Sequence, residues 1–331
     1  MKTYFLTGGD GFIGFFICKE LLKDKNNNVV IYDAHKHYIP LEKSDWFKYQ
    51  TYRIKILSKY GDRVIRIRGD TTDRGLLKKS LEDYNPNVII HLAALPIADV
   101  SNTYPEEAKV NILDGTITLM DVIRELNLKI GRVVYTSSSM VYGDFLRDEN
   151  GKIIPAKENQ MCNPLGIYGA MKLAGEHIVK VYSKRFNIPY VIIRPSAVYG
   201  PTDCNRRVVE IFITNALKGK ELILDNGGLH QLDFSYVEDV AKGFVLAANS
   251  DKALYETFNI TRGEGRSIKE LAEVISKLVP NVKIIEKKAD VYRPNRGSLN
   301  ISKARKLLGY NPEYSLEEGM KKYLEFIRSF D

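Results

Sequence analysis

Three serines in a row, Ser137, Ser138 and Ser139, run into Met140-Val141-Tyr142-Gly143, and farther on stands Tyr168-Gly169-Ala170-Met171-Lys172. A tyrosine and a lysine four residues apart share one face of a helix. A free phenol has a pKa of about 10, too high for a base near neutrality, and an ammonium group close by favours the phenolate. A serine hydroxyl can then align a substrate hydroxyl whose proton the phenolate removes. Read alone, the tyrosine–lysine pair is equally well a stretch of plain helix surface.

The elements that must position these groups are legible around them. Arg132–Thr136 reads as a strand that runs out into the serines, and ligands of open parallel sheets gather at the carboxyl ends of strands. The apolar run 173–181 continues the helix that carries Tyr168 and Lys172. At the start of the chain, 3–7 is a short apolar strand and 12–22 the apolar face of a helix, with Gly8, Gly11 and Gly14 on the turn between them. A first glycine permits the tight turn, a second lets backbone amides approach a pyrophosphate, and a third lets the helix pack hard on the sheet. By itself this turn says only that an anion suits the helix end.

The second strand, 28–32, ends at Asp33. An acid there suits the hydroxyls of an adenosine ribose and repels a 2′-phosphate, which favours NAD over NADP, although the nearby Lys36 could accommodate a phosphate. The stretch 35–60 is polar, aromatic and basic, long for a connection, and holds a predicted helix at Trp46–Ser58. The half-exposed strand 63–68 ends in Gly69-Asp70. Asp70 could accept a hydrogen bond from an adenine amino group, while Thr72 or Asp73 suits a helix cap better. An amphipathic helix at 76–83 and a buried strand at 87–91 follow, then Leu92-Ala93-Ala94, small residues under the expected dinucleotide. His91 reads as a buried histidine satisfied by backbone. Helical periodicity spans 105–127, and Asn111 on it is expected to hold the sheet's backbone together. Alternating strands and helices predict a parallel sheet wrapped on both faces. Residues 144–163 form a polar insertion.

Composition narrows the class. A chain of 331 residues with 44% hydrophobic and 27% charged content can bury a large core. No apolar run is long enough for a membrane span, and Met1-Lys2 leads straight into a core strand, so a cytoplasmic protein without a signal peptide is expected. Cys18, Cys162 and Cys204 form neither an even set nor a metal-spaced pair, so no metal is expected; only Cys204 sits in a stretch of chemical interest. The net charge of +8 favours anionic partners. The lysines are scattered along helices, and no basic run is interleaved with aromatics, so a nucleotide fits better than nucleic acid.

Taken in order, TGGDGFIG, Asp33, Gly69-Asp70, HLAA, SSSMVYG and YGAMK resemble the extended short-chain dehydrogenase/reductase family. RPSAVYGP at 194–201, LDFSYVEDVA at 232–241 and NISKA at 300–304 extend the likeness over nearly the whole chain. Within the family it looks like the nucleotide-sugar epimerases and dehydratases. The resemblance implies an α/β, Rossmann-type doubly wound sheet with a smaller α/β substrate-binding lobe. It divides the chain at about 195, with 196–236 and 263–331 in the lobe and 237–262 returning to the first domain. It implies bound NAD, held by Gly8, Gly11, Phe12, Ile13, Gly14, Asp33, Asp70, Thr71, Leu92, Ala93, Ala94, Tyr168 and Lys172. Tyr168 is the implied base, Lys172 meets the nicotinamide ribose and the phenol, and the family's catalytic hydroxyl falls on Ser138.

Departures from the family pattern bear on the reaction. Dehydratases of the family carry an acid just after the catalytic hydroxyl, where this chain has Ser139 and Met140. That disfavours loss of water and favours 4-epimerisation: oxidation at C4 with hydride passing to NAD, then its return to the other face of a 4-keto sugar. A 4,6-dehydratase, a keto-sugar reductase and a non-catalytic NAD-binding module are the alternatives. The family's diphosphate-binding asparagine and arginine align with Ala197 and Leu232. Arg206 and Arg207 could replace them, and Arg293, Arg296 and Ser139 are further substrate-side candidates. The resemblance also implies a homodimer paired through helices at 105–127 and 164–186.

Overall fold

The computed structural model describes residues 1–40, 44–288 and 296–330. Its apolar stretches pair as parallel strands, and the amphipathic stretches between them cover both faces of the sheet. β1 (Lys2–Thr7) runs into α1 (Phe12–Leu21), β2 (Asn27–Asp33) into α2 (Trp46–Ser58), and β3 (Val64–Arg68) into α3 (Arg74–Tyr84). β4 (Val88–His91) leads into α4 (Ala98–Thr103), α5 (Pro105–Ala108) and α6 (Gly115–Glu125); β5 (Arg132–Thr136), α7 (Ile167–Phe186) and β6 (Tyr190–Arg194) follow.

The rest of the chain is built from shorter pieces: β7 (Val198–Tyr199), α8 (Val208–Leu217), β8 (Leu222–Asp225), β9 (Gln231–Leu232), β10 (Ser235–Tyr236) and α9 (Val237–Asn249). Then come β11 (Glu256–Asn259), β12 (Arg266–Ser267), α10 (Ile268–Leu278), β13 (Ile284–Lys287), α11 (Ser302–Leu308) and α12 (Leu316–Phe330).

The large sheet has seven strands in the order β11-β6-β5-β4-β1-β2-β3, and every pair in it is parallel. The order reverses between β1 and β4, which opens a crevice beyond their carboxyl ends. There the N–H groups of Leu92 and Ala93 both donate to Thr7 O, each at 3.0 Å. On one face of the sheet Phe15 and Phe16 of α1 share a core with Val240 and Phe244 of α9. On the other, Leu77 of α3, Leu119 of α6 and Val179 of α7 pack together. A third core joins Phe212 of α8, Leu271 of α10 and Leu324 of α12.

Three local expectations are corrected. The helical stretch 105–127 is not continuous: Lys109–Asp114 forms a wider π-turn between α5 and α6. Asn111 sits on that turn and serves no sheet backbone; its Oδ1 accepts from Lys36 Nζ at 2.8 Å and Tyr38 Oη at 3.2 Å. His91 is buried, but its partners are hydroxyls rather than backbone, Thr7 Oγ1 at 2.7 Å and Thr116 Oγ1 at 3.1 Å. Burial, followed by the nearby Lys172 charge, pulls its pKa down to about 3. It is a neutral structural residue. The cap of α3 is Asp73, whose carboxylate accepts from Leu76 N.

Candidate active site

The chain leaves β5 in a tight, hydrogen-bonded turn. Ser138 is extended, and its Oγ accepts the Met140 N–H at 3.1 Å, which starts a short 3₁₀ turn over Ser139–Tyr142. Its two neighbours are tied down: Ser137 Oγ donates to Glu176 Oε1, and Ser139 Oγ meets Ser196 Oγ at 3.1 Å. α7 approaches this turn closely because Gly169 lacks a side chain; a Cβ there would lie 2.6 Å from Met140 O. The helix thereby brings Tyr168 and Lys172 beside Ser138. Lys172 is 3% exposed, donates to Thr136 O at 2.8 Å, and lies 6.0 Å from the Tyr168 ring centre.

The electrostatics differ from the expected phenolate–ammonium pair. Burial lowers the Lys172 pKa to about 7. Burial also pushes the Tyr168 phenol up, against the pull of the Arg207 guanidinium and a hydrogen bond with Ser138. Desolvation disfavours both charged forms, and for Tyr168 it outweighs the groups that pull the phenol down.

Glu176, one turn beyond Lys172, is a residue that the sequence analysis passed over. It is fully buried and forms a two-pronged pair with Arg194, Nε to Oε1 at 2.8 Å and Nη2 to Oε2 at 2.7 Å. This pair locks α7 to β6 and, through Ser137, to the end of β5. Its spacing of four from Lys172 was the available sign.

One cavity of about 1160 Å³ joins this corner to the crevice between β1 and β4. Gly8, Gly11, Phe12, Ile13 and Gly14 line it at the first turn, Asp33, Asp70 and Thr71 beyond β2 and β3, and Leu92, Ala93 and Ala94 after β4. Gly8 has a left-handed φ of +74°, and a Cβ on it would lie 2.9 Å from Ala93 N. A Cβ on Gly14 would collide with Gly8 O, so α1 rests directly on the turn. No side chain caps α1 and its first turn holds no acid, which leaves its leading N–H groups for an external anion. Asp33 accepts the N–H groups of His35 at 2.8 Å and Asp10 at 3.1 Å; burial raises its pKa, against those bonds. Asp70 pairs with Lys36 at 2.6 Å. Burial alone would raise the Asp70 pKa, but the Lys36 ammonium and the Thr72 donors outweigh it, and the net shift is downward.

The far end of the cavity is lined by Ser138, Ser139, Tyr168, Lys172, Arg206, Arg207 and Arg296. Arg206 is exposed, with φ of +54°. Arg207, at the start of α8, donates to Val198 O at 3.3 Å, and Arg296 Nη1 lies 3.1 Å from Met140 Sδ. Arg293 lies outside the described residues. Ala197 keeps a left-handed φ of +37°, a conformation that favours asparagine or glycine over alanine. The sequence analysis also missed Arg53, Asp203 and Glu210, which gather beneath the 202–207 loop; nothing in their spacing marks them. Among the described residues no three His, Cys, Asp or Glu side chains come together as metal ligands, and no helix is long and apolar enough to cross a membrane.

Known proteins resemble this chain over nearly its whole length. An uncharacterized UDP-glucose epimerase of Bacillus subtilis is 32% identical over 98% of this chain and 97% of its own. The UDP-glucuronic acid 4-epimerase of Bacillus cereus, solved with UDP-glucuronic acid and NAD, superposes with a TM-score of 0.88 at 30% identity, covering 99% of this chain and 100% of that one. The dTDP-glucose 4,6-dehydratase of Salmonella typhimurium is 27% identical over 97% of this chain and 91% of its own. Residues 4–261 match the NAD dependent epimerase/dehydratase family. With its seven-stranded parallel sheet and the match running through β1, β5 and α7, the chain belongs to that family of extended short-chain dehydrogenases/reductases.

Proposed function

We propose that the protein is an NAD-dependent 4-epimerase of a nucleotide-diphosphate sugar. The observation that carries this reading is the corner of Ser138, Tyr168 and Lys172 with no carboxylate on the adjoining turn. The positions after Ser138 hold Ser139, bonded to Ser196, and Met140, beside Arg296. Neither can remove or deliver the second proton that loss of water across C5 and C6 requires.

The chain's residues fit NAD. The uncapped start of α1 suits the pyrophosphate, with Gly8, Gly11, Phe12, Ile13 and Gly14 around it. Asp33 suits the adenosine ribose, Asp70 and Thr71 the adenine end, and Leu92, Ala93 and Ala94 the floor. A cavity of about 1160 Å³ exceeds the roughly 300–1,000 Å³ of a site for one small ligand, as a site for dinucleotide and nucleotide sugar together should.

When bound, NAD supplies reversible hydride exchange at carbon. The chain handles the proton and the geometry. Tyr168 takes the proton of the sugar's 4-hydroxyl as C4 becomes a ketone and returns it once the sugar has presented its other face. Ser138 aligns that hydroxyl, and the Arg207 guanidinium and the Ser138 hydrogen bond favour the phenolate against burial, with Lys172 on the same helix face beside it. Arg206, Arg207, Arg293 and Arg296 are the substrate-side cations of this reading, with Ser139 beside them. The first 195 residues and 237–262 form its NAD-binding domain, and 196–236 with 263–331 its substrate lobe.

The likeness to epimerases of UDP-glucose and UDP-glucuronic acid supports a nucleotide sugar as substrate. Three free cysteines, Cys18, Cys162 and Cys204, suit a cytoplasmic protein. Apolar exposure at Val181 and Phe186 on α7, 59% and 45%, suits a homodimer through that helix; sedimentation as a monomer contradicts it. The mechanism is tested by Tyr168→Phe, which should lower kcat by about 10²–10⁴ while the variant still binds NAD. Unchanged turnover removes Tyr168 as the base.

A further inference from the structure

The stretch 35–60 matched no motif, yet α2 within it joins the two halves of the molecule. Its Tyr49 and Tyr52 pack against Phe326 and Phe330 of α12, with ring centres 5.0–6.0 Å apart. Just ahead of it, Ser44 Oγ donates to Cys204 O at 3.1 Å. On the inner face Arg53 is 2% exposed. Its Nε donates to Asp10 O of the glycine-rich turn at 2.8 Å, and its Nη1 to Thr202 O of the loop leading to Arg206 and Arg207 at 3.0 Å.

The partners of this guanidinium are neutral: two carbonyls and the Cys204 thiol, whose pKa burial pushes up to about 11. Among the described residues Arg53 forms no ion pair within 4.0 Å. Asp203 lies nearby but forms no ion pair with it; burial raises the Asp203 pKa, against the pull of Arg207 and Arg53. A buried cation without a counter-charge is costly to keep. Arg53 nevertheless borders the cavity, where an anion can reach it. The fork of a guanidinium matches phosphate oxygens, and donors left over from the two carbonyls are available for them.

We propose that Arg53 is a phosphate-binding residue: it takes an oxygen of a bound diphosphate while holding the glycine-rich turn and the 202–207 loop in register. The same chemistry is offered by the pyrophosphate of a dinucleotide and by the diphosphate of a nucleotide sugar. In either case filling one half of the cavity orders the loop that serves the other. The proposal rests on the reading of the cavity as a site for NAD and a nucleotide sugar.

The test is calorimetric titration of the nucleotide-free full chain, wild type, Arg53→Met and Arg53→Lys, with NAD, UDP and dTDP, each alone and then with the second ligand present. Arg53→Met should weaken at least one ligand about tenfold or more, the size expected for a lost charged hydrogen bond. Loss confined to NAD identifies the cofactor's pyrophosphate; loss confined to UDP or dTDP identifies the substrate's diphosphate. In the wild type each ligand should tighten the other, and both variants should lose that coupling. Arg53→Lys keeps the charge but cannot span two carbonyls and a phosphate, so it carries the test if Arg53→Met does not fold. Variants with affinities within about twofold of wild type and coupling intact overturn the proposal. A wild-type chain that binds none of the three overturns the reading of the cavity and the proposal with it, a result distinct from variants that bind like wild type.

Discussion

Two buried ionic clusters flank the cavity, and they are built in opposite ways. Under β5, Glu176 has both oxygens engaged by Arg194 and Ser137, while Arg194 also donates to Glu158 O at 3.1 Å and lies 4.8 Å from the Tyr142 ring centre. Under the 202–207 loop, Asp203 Oδ2 and Glu210 Oε2 are buried without a hydrogen-bond partner, and Arg53 donates to the Asp10 and Thr202 carbonyls and meets the Cys204 thiol. The first cluster is complete without ligand and holds the turn that carries Ser138. The second leaves the Arg53 cation without an ion pair, and in the present reading a diphosphate supplies its counter-charge; the Asp203 and Glu210 oxygens are not what it satisfies. Chemistry and substrate holding thus rest on different physics: a saturated network fixes geometry in advance, whereas an unsaturated one is settled on binding.

The contrast can be broken at either end. Glu176→Ala removes one partner of a closed pair, strands the Arg194 charge, and should cost about 3–5 kcal/mol of stability in urea denaturation. A loss near zero would show that the first cluster is not a lock.

Lys172 stands above that cluster with its pKa lowered to about 7. A lysine depressed in the folded state costs stability fully below that value, and the cost fades as pH rises toward the ordinary lysine value. Lys172→Met should therefore stabilise the ligand-free protein by about 4–5 kcal/mol at pH 6, with the gain vanishing near pH 10. A pH-independent difference contradicts the assigned burial.

The smallest effect belongs to the open cluster. Burial first, then the neighbouring Asp203 charge, raises the Glu210 pKa to about 7. For an acid raised in the folded state the penalty is absent below its unfolded value and full above its folded one. Glu210→Gln should be neutral near pH 4.5 and stabilising by about 3 kcal/mol at pH 8. Destabilisation at pH 8 would mean that the carboxylate has a partner after all.

What the sequence disclosed followed from local chemistry. The ends of β5 and α2 fall where strand pattern, helical periodicity and polar punctuation placed them. The spacing of Gly8 and Gly14 announced a turn too tight for side chains. What it withheld depends on distant parts of the chain. The hydroxyls that satisfy His91 come from β1 and α6, so no neighbouring residue names them. A π-turn at Lys109–Asp114 keeps the apolar spacing of an α-helix, so periodicity alone does not reveal it. The direction of the Tyr168 and Lys172 shifts is set by burial, whereas spacing supplies only the favourable pair. Arg53 lies on an ordinary-looking helix, and its importance arises from the two loops that meet it.

The central claim is 4-epimerisation, and product mass with stereochemistry tests it most directly. Purified protein with NAD is incubated with a panel of UDP-, GDP-, CDP- and dTDP-sugars, and products are followed by mass spectrometry and NMR. An isomer of unchanged mass, inverted at C4, is the predicted result. A product lighter by one water would contradict it and make the protein a dehydratase.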